Sequence, residues 1–274
     1  MSTSYTSVST IDTRLAELRS CAHQLSGASH APYSKKPVGA ALLLSDGSWV
    51  GGARLESGVF PLTIPALQAA YVTAIGAGRL DIVAGAVSRP LLPGEWEWVG
   101  VGLRSASPGR LVGADCFLLS DDVPEVGQRL SVVLDATPPA GDAEGIALAR
   151  DVASRAHAPY SDFPVGCVVL YETSDGHAHL VPGVNVEHPD WTRGLCAERA
   201  AVAAARSLGP GRIRRAYLTC LKDPDGTPCG ACRQLLAEVL PDAPLAMDRG
   251  NDGVERCTPR SLLPDFFGGD QLSR

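Results

Sequence analysis

The apolar positions along the chain form a pattern that is written twice. After a polar opening segment, Leu15, Leu18, Cys21 and Ala22 recur near helical spacing with Thr10 ahead of them as a cap, which predicts a first helix. A continuous apolar run over 38–44 then ends at Ser-Asp-Gly, the mark of a strand entering a tight turn. Helical spacing returns over 143–156, and an apolar run over 165–171 again leads to Ser-Asp-Gly. Beyond it the pattern predicts a strand near 178–187, a helix over 196–208 closed by Gly209, and a strand over 215–221. A helix over 230–240 stopped by Pro241 and a strand over 244–248 complete it. Strands alternating with helices predict an α/β layered fold, with helices covering a largely buried sheet.

The two copies align residue by residue. "HAPYSKKPVGAALLLSDG" at 30–47 matches "HAPYSDFPVGCVVLYETSDG" at 157–176, without a gap from His30/His157 to Gly39/Gly166. "ARLESGVFPLTIPALQAA" at 53–70 runs in step with "VNVEHPDWTRGLCAERAA" at 184–201. Such internal similarity predicts one fold used twice. The Pro/Gly/Asp-rich stretch "DATPPAGDAEG" at 135–145 places the boundary, giving domains over 1–137 and 138–274.

Composition narrows the function. With 274 residues, 45% apolar and 20% charged, the chain can bury two cores of ordinary size. A formal charge of -6 without a Lys/Arg run argues against a nucleic-acid partner, whose phosphates would need clustered cations. No run of about 18 apolar residues is present to cross a bilayer, and the opening residues lack the apolar core of a signal peptide. A soluble, cytoplasmic protein with no membrane partner is expected. Six of the eight cysteines lie in the second half. In a reducing compartment that skew points to metal binding or catalysis rather than disulfides.

Spacing selects three of them. Cys229 and Cys232, in "PCGACRQ", have the C-x-x-C spacing that lets two thiolates share an ion, and they open a helix, where free N–H groups favour negative sulfur. Cys196 opens another helix. Three thiolates on Zn2+ leave one position free, as a catalytic site requires. A C-x-x-C taken alone also suits a redox pair or half of a structural zinc knuckle, but Cys220 and Cys257 do not offer the second C-x-x-C of a structural site. A ligand-x-Glu followed by Pro-Cys-x-x-Cys is the pattern of the zinc deaminases. Glu198, two residues past Cys196, can complement the helix dipole or, beside a metal, move protons. Arg199 can offset the charge of a thiolate cluster.

"HAPYSDFPVGC", "NVEHPDW", "CAERAA" and "PCGACRQ", in this order, resemble the cytidine deaminases of nucleoside salvage, over roughly 144–268 and including "SLLPDFFG" at 261–268. The resemblance implies two tandem α/β/α three-layer domains, each with a mixed, mainly five-stranded sheet. It implies Zn2+ on Cys196, Cys229 and Cys232, and hydrolysis of cytidine and 2'-deoxycytidine to uridine and 2'-deoxyuridine. Zinc-bound hydroxide would attack C4, with Glu198 as proton shuttle. Asn185 and Glu187 would hold the ribose, Phe163 would pack on the base and Ala197 would present its backbone to it. Arg199 would stand behind the metal ligands, and Phe267 would reach a neighbouring subunit's site. The partners implied are a small nucleoside and a second copy of the chain in a homodimer.

Two departures stand out. His188, Pro189, Asp190 and Trp191 replace the Asn-Ala-Ser-Tyr usual after the ribose glutamate, which opens the alternative of a modified cytosine nucleoside as substrate. A polynucleotide-editing deaminase and a non-catalytic zinc protein are further alternatives; the acidic charge speaks against the first and intact Glu198 against the second. In the first copy, Pro65, Leu67, Gln68, Arg54 and Lys36 stand where Cys196, Glu198, Arg199, Asn185 and Phe163 do. That half is expected to be non-catalytic, with Arg54 and Lys36 as candidate anion ligands.

Overall fold

The computed structural model describes residues 5–104, 109–269 and 272. In chain order the first half contains α1 (Tyr5–Ser26), β1 (Gly39–Leu44), β2 (Trp49–Ala53), α2 (Ala66–Gly76), β3 (Ile82–Val87), α3 (Glu97–Gly102), β4 (Arg110–Val112) and β5 (Cys116–Leu118). The second half contains α4 (Asp142–Ala153), β6 (Val165–Thr173), β7 (Ala178–Val184), α5 (Ala197–Arg206), β8 (Gly211–Cys220), α6 (Gly230–Val239), β9 (Leu245–Asp248), β10 (Val254–Cys257) and α7 (Pro259–Leu262). The first helix begins at Tyr5, so Thr10 lies inside it and does not cap it. The polar residues ahead of Thr10 extend the helix instead of ending it. Among the described residues no helix is long and apolar enough to cross a membrane.

Each half builds a five-stranded sheet, ordered β2-β1-β3-β5-β4 and β10-β9-β8-β6-β7. The strands are covered on both faces, which is why their sequences read as unbroken apolar runs: every residue of β1, β2 and β3 is buried. In the second half α4 packs on one face and α5 on the other. Two glycines permit this. A Cβ on Gly166 would lie 2.3 Å from the Ala149 carbonyl of α4, and one on Gly183 would lie 2.2 Å from the Ala201 nitrogen of α5. Gly39 and Gly52 repeat the arrangement against α1 and α2.

The halves diverge after their third strand. In the second half α6 is a crossover helix, and it brings β9 parallel to β8. Among the described residues the first half has no such helix; the chain passes through short α3 and pairs β5 antiparallel to β3. The second sheet is therefore mixed and the first antiparallel throughout. The apolar core is continuous between them, running from Leu42, Leu67 and Tyr71 to Val181, Ala201 and Leu236.

Candidate active site

The ends of α5 and α6 converge beside the sheet. Cys196 is the N-cap of α5 and Cys229 the N-cap of α6, each with extended backbone and neither with a side-chain cap bond. Their sulfurs lie 3.7 Å apart, and the sulfurs of Cys196, Cys229 and Cys232 all lie within 4.8 Å of one another. Among the described residues this is the cluster of three or more ligating side chains able to hold a metal ion. Cys229 is held well below the ordinary thiol range because the thiols of Cys196 and Cys232 and the N–H groups of Cys232 and Ala231 all donate to it. Cys196 is pushed up to about 12 by donating to Cys229, and Cys232 is pushed up by donating to Cys196 and Cys229. A set of three soft sulfurs at two helix N-termini, all within 4.8 Å of one another, fits Zn2+.

Glu198 sits in the first turn of α5, buried at 4% exposure. Burial pushes its carboxyl up to about 7, and the negative sulfur of Cys229 adds to this. A glutamate serving only the helix dipole would be solvated, whereas this one is enclosed against the Cys232 thiol. Ala197, the first residue of α5, is fully buried beside it.

Asn185 and Glu187 fix the loop that leads into β6. The Asn185 amide accepts from the Val165 N–H at 2.8 Å and donates to the Phe163 carbonyl at 2.9 Å. The Glu187 carboxylate accepts from the Tyr160 and Ser161 N–H groups at 2.8 and 3.2 Å and from the Ser161 hydroxyl. Its burial works to raise the carboxyl, but these donors outweigh it and hold Glu187 below the ordinary range. Asp162 in this turn has a left-handed backbone at φ 52°, as Lys35 does at the matching place in the first half, φ 56°. Phe163 is half-buried at the end of the turn. Asn185, Val186, Glu187, Trp191, Gly194, Leu195 and Cys196 line a cavity of about 280 Å³.

Two family models with the description "cytidine and deoxycytidylate deaminase zinc-binding region" match the chain, one over residues 140–243 and the other over 2–87. A cytidine deaminase of Mycobacterium tuberculosis (strain CDC 1551 / Oshkosh) is 40% identical over 134 residues, covering 46% of this chain and 89% of that one. One from Sporosarcina psychrophila is 35% identical over 131 residues, covering 47% and 92%. The solved cytidine deaminase of Burkholderia pseudomallei is 31% identical, covers 46% of this chain and 98% of its own, and gives a TM-score of 0.41. This chain belongs to the cytidine deaminase family of zinc-dependent enzymes. Both halves match it, so the repeat is a duplication of the family's zinc-binding region.

Arg199 donates from Nη2 to the Leu62 carbonyl of the first half at 3.1 Å and so ties the two halves together. His188 is fully buried. Its Nδ1 accepts from the Asp190 N–H at 2.9 Å, which leaves Nε2 to donate to the Trp98 carbonyl of the first half at 2.8 Å. Trp191, by contrast, is 67% exposed at the cavity mouth. Phe267 is 38% exposed; its carbonyl accepts from Gln234 Nε2 of α6 at 2.8 Å, and the tail beyond it packs Gly269 against the Tyr33 hydroxyl of the first half.

Sequence reasoning missed Glu238 and Trp98. Glu238 of α6 accepts from the Ser57 hydroxyl at 2.8 Å and the Gly58 N–H at 2.9 Å, fastening the first half to the helix that carries Cys232. No motif marks it, because its partners are a serine and a backbone group.

Proposed function

We propose that the chain hydrolyses cytidine and 2'-deoxycytidine to uridine and 2'-deoxyuridine with release of ammonia, in pyrimidine salvage. The single observation that carries this reading is a buried glutamate enclosed with a three-sulfur metal site. Cys196, Cys229 and Cys232 would hold Zn2+, which when bound supplies an activated water at neutral pH. Glu198 takes one proton of the attacking water and delivers it to N3 of the base, and passes the second to the amine as the bond from C4 to nitrogen breaks. A carboxyl raised by burial suits both steps, since it must accept and then donate. Asn185 and Glu187 bind the ribose from the cavity wall, Phe163 packs on the base, and the Ala197 backbone faces it.

In this reading residues 138–274 form the catalytic domain and 1–137 a non-catalytic one. The enzyme works in the cytoplasm, where reducing conditions keep the sulfurs free for metal. It works as a homodimer, as the resemblance to the cytidine deaminases implies. Trp191 at the mouth favours one second reading, a modified cytosine nucleoside as substrate.

The test is loss of ultraviolet absorbance as cytidine is converted, on the wild type and on Glu198→Ala, with zinc measured in both. Conversion by the wild type, with zinc kept but activity lost in the variant, supports the reading. A zinc-loaded wild type that leaves cytidine and deoxycytidine untouched refutes it. Turnover of 5-substituted cytosine nucleosides by that same protein would then establish the second reading.

A further inference from the structure

The first half retains a cavity where its active site would be, and the chemistry there is inverted. Pro65 replaces the sulfur-bearing cap of α2, with no side-chain cap bond. The helix thus keeps its positive end, with the N–H groups of Ala66, Leu67 and Gln68 unclaimed by a cap. The cavity measures about 310 Å³, close to that of the second half, and is lined by Arg54, Arg89 and Arg193 with Glu95 as the one carboxylate. Arg54 stands where Asn185 stands, and Arg89 where Cys220 does in the strand register.

The three guanidinium groups are held by the fold. Arg54 pairs through Nη2 with Glu56 at 3.0 Å, and its Nε is buried without a hydrogen-bond partner. Arg89 is oriented by Glu95 and by the Pro90 carbonyl. Arg193 stacks over the Trp98 ring, 6.0 Å from its centroid, and its carbonyl receives Gln68 Nε2 at 2.8 Å. Leu92, Pro93, Leu67 and Trp98 supply an apolar wall. Lys36 is exposed and does not line this cavity.

We propose that this cavity binds a small phosphate ester of nucleotide size, its phosphate on Arg54, Arg89 and the N-terminus of α2 and its flat, apolar part against Leu92 and Trp98. Forked donors and a helix N-terminus match the several oxygens of a phosphate, and an aromatic wall matches a base. The site goes beyond the deaminase reading and does not depend on it.

The experiment is calorimetric titration of the full-length, zinc-loaded protein with uridine 5'-monophosphate, inorganic phosphate and uridine. The monophosphate is expected to bind, and to bind more weakly as salt is raised. Arg89→Gln should weaken it at least about tenfold, the loss of one charge-assisted contact. Arg54→Gln also removes a partner of Glu56 and can fail to fold. Leu92→Glu therefore serves as the second variant: it places a carboxylate at a rim position 61% exposed and should weaken binding without unfolding the protein. Inorganic phosphate binding with the same dependence on Arg89 supports the anion site. The proposal is overturned if neither phosphate compound binds at millimolar concentration, if Arg89→Gln and Leu92→Glu leave affinity unchanged, or if Glu198→Gln alone abolishes binding, which would place the ligand in the second half.

Discussion

Gly183→Ala tests how the sheet positions the metal site. The new Cβ would lie 2.2 Å from the Ala201 nitrogen and 2.4 Å from the Ala197 carbonyl, both backbone atoms of α5. No rotamer can relieve such a clash, so α5 must retreat by roughly 1 Å, and overpacking of this kind costs about 1–3 kcal/mol. The upper end is expected, because backbone must move. A retreat of α5 carries Cys196 and Glu198 away from Cys229 and Cys232, which are fixed on α6. Gly52→Ala is the matched control: its Cβ would lie 2.2 Å from the Ala70 nitrogen of α2, a helix that bears Pro65 and Leu67 instead. Urea unfolding should show comparable losses in the two variants, while competition with a chromophoric chelator should show weakened zinc only in Gly183→Ala. Unchanged stability in Gly183→Ala, or equal loss of zinc in both, would refute the reasoning.

Other perturbations follow from the same geometry. Glu198→Gln should keep its zinc and lose about 10²–10⁴-fold in kcat, read by ultraviolet assay and metal analysis. His188→Ala leaves the Trp98 carbonyl buried without its donor and should cost about 1–3 kcal/mol in a urea titration, with zinc content unchanged. Asp248 is held at about 2, chiefly by Arg150, with Thr219 and the Gly250 N–H also donating. A depressed carboxyl contributes fully above its ordinary value near 3.8 and loses that contribution as pH falls through about 2. Asp248→Asn should therefore be about 1–2 kcal/mol less stable than wild type at pH 7, a value discounted because Arg150 is half-exposed, and the gap should narrow steadily below pH 4. Chelation of zinc should make the thiol of exposed Cys229 the first of the three to react with a disulfide reagent.

Much of this was legible in the sequence because the repeat was. The apolar runs over 38–44 and 165–171 became β1 and β6, and the cysteines expected at two helix starts became N-caps. What stayed hidden had no local signal. β4 and β5 span three residues each, too short for alternation to register, and β10 is polar and half-exposed. The hydrogen bond of Arg199 goes to a carbonyl 137 residues away, a group every residue owns, so no local pattern announces it. Nothing in the motif around His188 marks it as buried. Its Trp98 partner, 90 residues upstream, turned it inward.

The bonds between the halves explain why a half without the metal ligands keeps its fold. Arg199 reaches the Leu62 carbonyl, and Gln68 reaches the Arg193 carbonyl at 2.8 Å. Positions 68 and 199 correspond in the repeat, as do 62 and 193, so one contact is made twice about an approximate two-fold axis. That is the logic of a symmetric dimer interface, retained inside one chain. Gln68, where the second half has Arg199, makes the same donation without the charge. α2 lies against α5 in this interface, and the apolar core passes from one to the other without a break. The first half thus forms part of the wall against which α5 is seated, and α5 carries Cys196 and Glu198.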